Sequence, residues 1–126
     1  MNNSLKEYLN FANKLADAAG NTSMEYFRTS LSIDNKNDES PVTIADKNTE
    51  LKIRSMIEKE YPDHGILGEE FDSINSDAEF IWVIDPIDGT RSYIAGHKDF
   101  GNLISLTQNK KPIIGIINCP AHDERW

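Results

Sequence analysis

Asp85 and Asp88 stand three residues apart in Asp85-Pro86-Ile87-Asp88-Gly89-Thr90, at the end of the apolar run Ile81-Trp82-Val83-Ile84. Carboxylates and backbone carbonyls are oxygen donors that suit hard cations such as Mg²⁺, which keeps several waters and takes phosphate oxygens beside one or two carboxylates. Glu69, Asp85, Asp88 and the Ile87 carbonyl could supply such a set, and no cluster of His and Cys competes for a softer metal. Acids converging without a cation would repel one another, raise at least one pKa and repel a phosphate. Divalent cations remove both problems. The same segment also suits a surface turn after a buried strand, where Asp, Pro and Gly are common.

The chemistry expected of such a set is hydrolysis of a phosphate ester by an activated water. Thr90, hydrogen-bonded to Asp46, would orient or deprotonate that water. Gly89 lets the backbone turn sharply or approach a ligand. Thr90 opens a short helix whose free N–H groups favour anions. A second pair of acids, Glu69-Glu70, follows the short apolar strand Ile66-Leu67. They read either as solvent-facing charges or as part of a site shared with Asp85. Asp46 falls near the front of a helix, where the dipole alone could favour a carboxylate. His64, His97 and His122 each sit in polar turn contexts and are expected to be exposed.

Several elements must position these residues. A strand runs into Asp85 and is expected to stop at Pro86, which has no N–H for a sheet ladder. Residues 4–28 form an amphipathic helix with a Ser4/Glu7 capping box. Its apolar stripe is Leu5, Tyr8, Leu9, Ala12, Leu15, Ala16, Ala19 and Phe27, and Gly20-Asn21 bends it or ends it early. Leu31-Ser32-Ile33 is a candidate strand, followed by the turn-rich loop Asp34–Pro41, in which Lys36 reads as a solvated side chain. A second helix spans Ala45 to Tyr61 and offers Leu51, Ile53, Met56 and Ile57 for burial. Strands over Phe100–Thr107 and Ile113–Ile117 form a hairpin joined by the five residues Gln108–Pro112. Helix, loop, helix, then strands favours a layered α+β fold over alternating βαβ units.

Composition narrows the partners. A net charge of −8 argues against nucleic acid, whose phosphates bind basic surfaces, but not against a phosphorylated small molecule reached through cations. No apolar run approaches the length of a membrane span, and the start does not resemble a signal peptide. The single cysteine, Cys119, cannot form an internal disulfide, which fits a cytoplasmic location.

Taken with Gly68-Glu69-Glu70 and Ser40-Pro41-Val42-Thr43-Ile44-Ala45-Asp46, the Asp85–Thr90 motif resembles the inositol monophosphatase superfamily of Mg²⁺-dependent, lithium-sensitive phosphatases. The three motifs occur in the family's order, and the resemblance runs from the first helix to Trp126. It implies two or three Mg²⁺ ions bound by Glu69, Asp85, Asp88 and the Ile87 carbonyl, with Asp85 shared between two ions. It also implies that Asp46 and Thr90 activate the water, that Gly89 and Thr90 contact the phosphate, and that Glu70 is a supporting acid behind the ligands. Lys36 falls near a position the family often fills with a lysine.

The segments Thr90–Gly96, Phe100–Leu106, Pro112–Ile117 and Glu124–Trp126 look most like the histidinol-phosphate phosphatase branch. That branch more often carries Gln where this chain has Cys119, and Thr where it has Asn102. Histidinol phosphate is thus the expected substrate, ahead of inositol 1-phosphate and 3′-phosphoadenosine 5′-phosphate. A non-catalytic metal or phosphate binder is the rival class. The resemblance further implies half of an αβαβα sandwich and a homodimer at full length. Family members run to roughly 250 residues, about the limit of one core. Residues 1–126 are therefore expected to be an N-terminal metal-binding portion that lacks the C-terminal half and has little activity alone.

Overall fold

The computed structural model describes residues 4–29 and 41–126, with residues 41–43 described at the backbone only. The candidate strand Leu31–Ile33, the loop residues 34–40 and Lys36 lie outside the described residues.

Helix α1 spans Leu5–Tyr26, and Ser4 caps it by accepting the Glu7 N–H at 3.2 Å. The stripe from Tyr8 through Phe11, Ala12, Leu15 and Ala16 to Ala19 is buried, whereas Leu5 and Leu9 of the expected stripe are exposed. Gly20 does not end the helix, which runs on to Tyr26. It is buried against the sheet, where an added Cβ would lie 2.8 Å from Asn118 Nδ2 and 3.2 Å from Pro120 Cβ. Helix α2 spans Pro41–Glu60 and so begins before the expected Ala45. Proline suits a first helical position because that N–H would have no partner anyway. Ile53 and Ile57 are fully buried and Met56 packs against them, while Leu51 points outward.

Five strands form one sheet in the order β1-β2-β3-β4-β5: Gly65–Leu67, Phe80–Asp88, Gly101–Gln108, Lys111–Cys119 and Glu124–Arg125. The β1–β2 pair is parallel and the remaining pairs are antiparallel. The layered α+β arrangement therefore holds, with one parallel strand added at the edge beside the Glu69 loop. Both long helices pack on one face of the sheet. Alternation of side chains along strands sends Trp82, Ile84, Ile104, Leu106, Ile114 and Ile116 into that core. Each such fully buried apolar side chain contributes roughly 1.5–3 kcal/mol relative to exposure. The opposite face presents Leu67, Val83, Leu103, Gly115, Ile117 and Trp126 around an open trough of about 810 Å³.

Two expectations about strand ends change. Pro86 does not stop β2. The strand continues to Asp88 through a bulge in which Pro86 and Ile87 together face the single residue Asn102 of β3. Bulges are where a sheet tolerates proline, since the ladder is already interrupted. The β3–β4 turn is only Asn109-Lys110, with φ of 49° and 70°. Both central residues have positive φ, as in the two-residue turns whose twist matches paired strands. Pro112, expected in the turn, is taken into β4 opposite Thr107 at a second register shift.

Candidate functional site

A second, smaller core of Phe27, Ala45, Ile87, Tyr93 and Phe100 lies where the end of α1, the start of α2 and the end of β2 meet. It seats the short helix α3 (Thr90–Ala95), whose N-cap Gly89 has φ 83°. That conformation favours glycine, and a Cβ there would also crowd the Asp99 carbonyl at 2.8 Å. The Tyr93 hydroxyl donates to the Ser23 carbonyl at 2.9 Å and ties α3 to α1. Ile87 is the buried peg of this region, and its carbonyl belongs to the peptide that leads into Asp88.

The acids gather beside this small core. Glu69 and Asp85 are in hydrogen-bond reach of each other. Burial, then the Asp85 charge, pushes the Glu69 carboxyl above the ordinary carboxylate range. Burial and the Asp88 charge push Asp85 upward, against the opposing effect of the Glu69 hydrogen bond. Asp46, only 8% exposed, is raised from 3.8 to about 7, by burial first and then by Glu70, Glu69, Asp85 and Glu50. Among the described residues, Asp46 Oδ1 and Asp85 Oδ1 are buried without a hydrogen-bond partner. Unpaired buried acceptors are costly, so this corner is under electrostatic stress.

Some expectations about the site do not hold in detail. Among the described residues, no three carboxylates sit close enough to hold one ion together. Asp88 and Thr90 are exposed at the rim, so Asp88 acts on Asp85 through charge rather than contact. No hydrogen bond among the described residues joins Thr90 to Asp46. Asp46 sits in the second turn of α2 rather than at its front, because that helix starts at Pro41, and so a helix-end role does not account for it.

Glu69 and Glu70 are positioned by a residue that pattern reading passed over. Glu50, fully buried, accepts the N–H groups of Glu69 (2.8 Å) and Glu70 (2.9 Å) on Oε1. Its Oε2 accepts from Phe71 N–H at 3.1 Å and from Arg54 Nε at 2.8 Å, and Arg54 also donates to the Phe71 carbonyl at 2.9 Å. A side chain on Gly68 would run into the Glu50 carboxylate. The signal for this was present: Asp46, Glu50 and Arg54 recur at four-residue steps and so share one helix face.

Of the three histidines, His64 is not solvent-exposed. It stacks on Tyr61 at 4.6 Å and on Phe80 at 5.1 Å, and its Nδ1 accepts the Trp82 indole N–H at 3.0 Å. Burial lowers its pKa. His97 and His122 are exposed as expected, and His122 pairs with Asp99 at 2.8 Å.

Comparison with known proteins places this geometry in context. The model of the inositol monophosphatase family matches residues 4–126. Histidinol-phosphatase of Chlorobaculum parvum is 45% identical over 119 residues, covering 94% of this chain and 46% of that protein. The chloroplastic bifunctional phosphatase IMPL2 of Arabidopsis thaliana is 44% identical over 124 residues, covering 97% of this chain and 36% of that one. The solved inositol monophosphatase of Zymomonas mobilis superposes with a TM-score of 0.84 at 44% identity, covering 99% of this chain and 48% of its own. The chain thus spans half or less of the length of the relatives it matches. No helix among the described residues is long and apolar enough to cross a membrane.

Proposed function

The chain belongs to the inositol monophosphatase family, and from that premise we propose that it is the N-terminal, metal-binding portion, residues 1–126, of a Mg²⁺-dependent phosphomonoesterase. The observation that carries the reading is the pair of buried, unpartnered oxygens, Asp46 Oδ1 and Asp85 Oδ1, among acids whose pKa values are driven upward. A hard cation fits that donor chemistry, since it would satisfy Asp85 Oδ1 and relieve the repulsion among the acids, Asp46 included.

Glu69, Asp85, Asp88 and the Ile87 carbonyl would hold two or three Mg²⁺ ions, with Glu70 behind them. When bound, Mg²⁺ polarises a phosphoryl group and lowers the pKa of water. The chain's own residues do the rest. Asp46 takes the proton released by the attacking water, and the Thr90 hydroxyl orients that water. Gly89 and Thr90 hold phosphate oxygens. Glu50 and Arg54 keep Glu69 facing Asp85.

The substrate is a small phosphorylated metabolite, histidinol phosphate ahead of inositol 1-phosphate or 3′-phosphoadenosine 5′-phosphate. Similarity to the Chlorobaculum histidinol-phosphatase supports that order. The full-length protein is a lithium-sensitive homodimer of the cytoplasm, with no nucleic-acid or membrane partner. Phosphate release from the three esters, with Mg²⁺ and with or without Li⁺, tests the assignment. Histidinol phosphate is expected to be hydrolysed fastest by the full-length protein, and little by residues 1–126 alone. Mg²⁺ and phosphate binding with no release by the full-length protein would favour a non-catalytic binder instead.

A further inference from the structure

The bulge that carries the acids is held from the side by a buried chain of amides. At the bulge, Pro86 and Ile87 face Asn102 alone, so the backbone ladder is broken where the carboxylates are presented. Pro86 has no N–H, and its carbonyl takes a side-chain donor in place of a strand partner: Asn102 Nδ2 at 2.7 Å. The second Asn102 amide proton goes to Ser23 Oγ at 3.3 Å. Asn102 Oδ1 accepts from Asn118 Nδ2 at 2.9 Å, and Asn118 Nδ2 also donates to the Ala16 carbonyl at 3.1 Å. Asn118 Oδ1 in turn accepts Arg125 Nε at 2.9 Å. Arg125 is anchored on α1 by Asp17 Oδ1 at 2.7 Å and Asn13 Oδ1 at 3.2 Å.

This chain has a direction. A guanidinium only donates, so Arg125 requires the oxygen of Asn118 to face it. The NH₂ of Asn118 must then face Asn102, and the NH₂ of Asn102 must face Pro86. Each end agrees with the other. Asn102 is fully buried and Asn118 is 4% exposed, where an amide is costly unless every bond is made. Apolar side chains at both positions would pack β3 and β4 at lower risk. What the amides add is a fixed position for the backbone between Asp85 and Ile87. Gly20 makes room for them, since any side chain there would strike Asn118.

We propose that Asn102, with its orientation set by Asn118 and Arg125, is a positioning residue that fixes how the Pro86 bulge presents Asp85 and Asp88 to a divalent cation. This rests on the reading that those two aspartates bind metal.

The test is Mn²⁺ affinity of the 126-residue chain, followed by loss of the free-ion paramagnetic resonance signal, with thermal unfolding recorded in chelator alongside. Asn102→Thr and Asn102→Val have the same shape, but only threonine can donate to the Pro86 carbonyl. Asn102→Val is expected to weaken Mn²⁺ binding about tenfold, the scale seen when groups behind metal ligands are removed. Asn102→Thr should recover most of that loss, while the two variants unfold at similar temperatures. Equal Mn²⁺ affinity in the two variants overturns the proposal, because a merely structural role would not separate them. If neither folds, Arg125→Ala at the partly exposed end of the chain replaces them. A loss of affinity approaching tenfold supports the coupling, and an unchanged affinity overturns it. Asp85→Asn is the control for the metal reading. A wild-type chain that binds no Mn²⁺, or an Asp85→Asn chain that binds as well as wild type, removes that reading and the proposal with it. Tight, Asp85-dependent binding that ignores residues 102 and 125 removes the proposal alone.

Discussion

Asp46 is where the cost of the acid cluster is most measurable. Its carboxyl is held up to about 7 against 3.8 when free, chiefly by burial and then by Glu70, Glu69, Asp85 and Glu50. The folded chain therefore keeps a proton that the unfolded chain has already released. Stability from this group is complete below about pH 4 and falls as pH rises toward 7, with no further change above it. In chelator, Asp46→Asn should flatten that part of the pH dependence and raise the urea midpoint at pH 8 while leaving the midpoint at pH 4 little changed. Parallel curves for the two proteins would place the titration on another residue. The sequence made Glu69, Asp85 and Asp88 visible as acids near glycines and strand ends, and Asp46 as an acid near a helix start. The four-residue spacing puts Glu50 on the Asp46 face of the helix, but it could not show what Glu50 holds, because those partners are backbone N–H groups 19–21 residues away. Nor did a polar turn reveal that His64 would be stacked between aromatic rings.

Elements are positioned by close approach as much as by hydrophobic pattern. Alanine is intrinsically better than glycine in a helix by about 1 kcal/mol. Gly20→Ala should nonetheless destabilise the chain, by about 1–3 kcal/mol, because its Cβ would press on Asn118 and Pro120 at 2.8 and 3.2 Å. A rise in the thermal midpoint would show that α1 can move away from β4 at no cost. In the hairpin, Lys110 has φ 70°, a conformation that strains a residue with a Cβ by about 1–2 kcal/mol. Lys110→Gly should raise stability by around 1 kcal/mol, less what is lost with the exposed hydrogen bond from Lys110 to the Ser76 carbonyl, as read by urea unfolding. An unchanged or lower midpoint would mean that hydrogen bond outweighs the strain.

Gly20 and two prolines mark the limit of pattern reading. Periodicity located both long helices and the two central strands. It misjudged Gly20, Pro86 and Pro112, because a breaker residue is read as an interruption when no neighbour is known. In the fold each is absorbed by a neighbour: β4 against Gly20, Asn102 beside Pro86, and Thr107 opposite Pro112.

At the scale of the whole molecule, the sheet is covered on one face only. The other face carries Leu67 at 50%, Ile117 at 49% and Trp126 at 75% exposure, beside a trough that ends at Glu69 and Asp85. A patch of this kind on a globular chain marks a functional surface more often than chance. The layered α+β order was legible from the succession of elements, but the parallel β1 strand was not. Three residues carry too little periodicity to reveal which way they pair.

The proposed function makes one demand of the crowded acids, a divalent cation at Asp85. Isothermal titration of Mg²⁺ into the chain at neutral pH measures this directly. A saturable heat that disappears in Asp85→Asn is the predicted result. No saturable heat, or the same heat in the variant, would contradict the account.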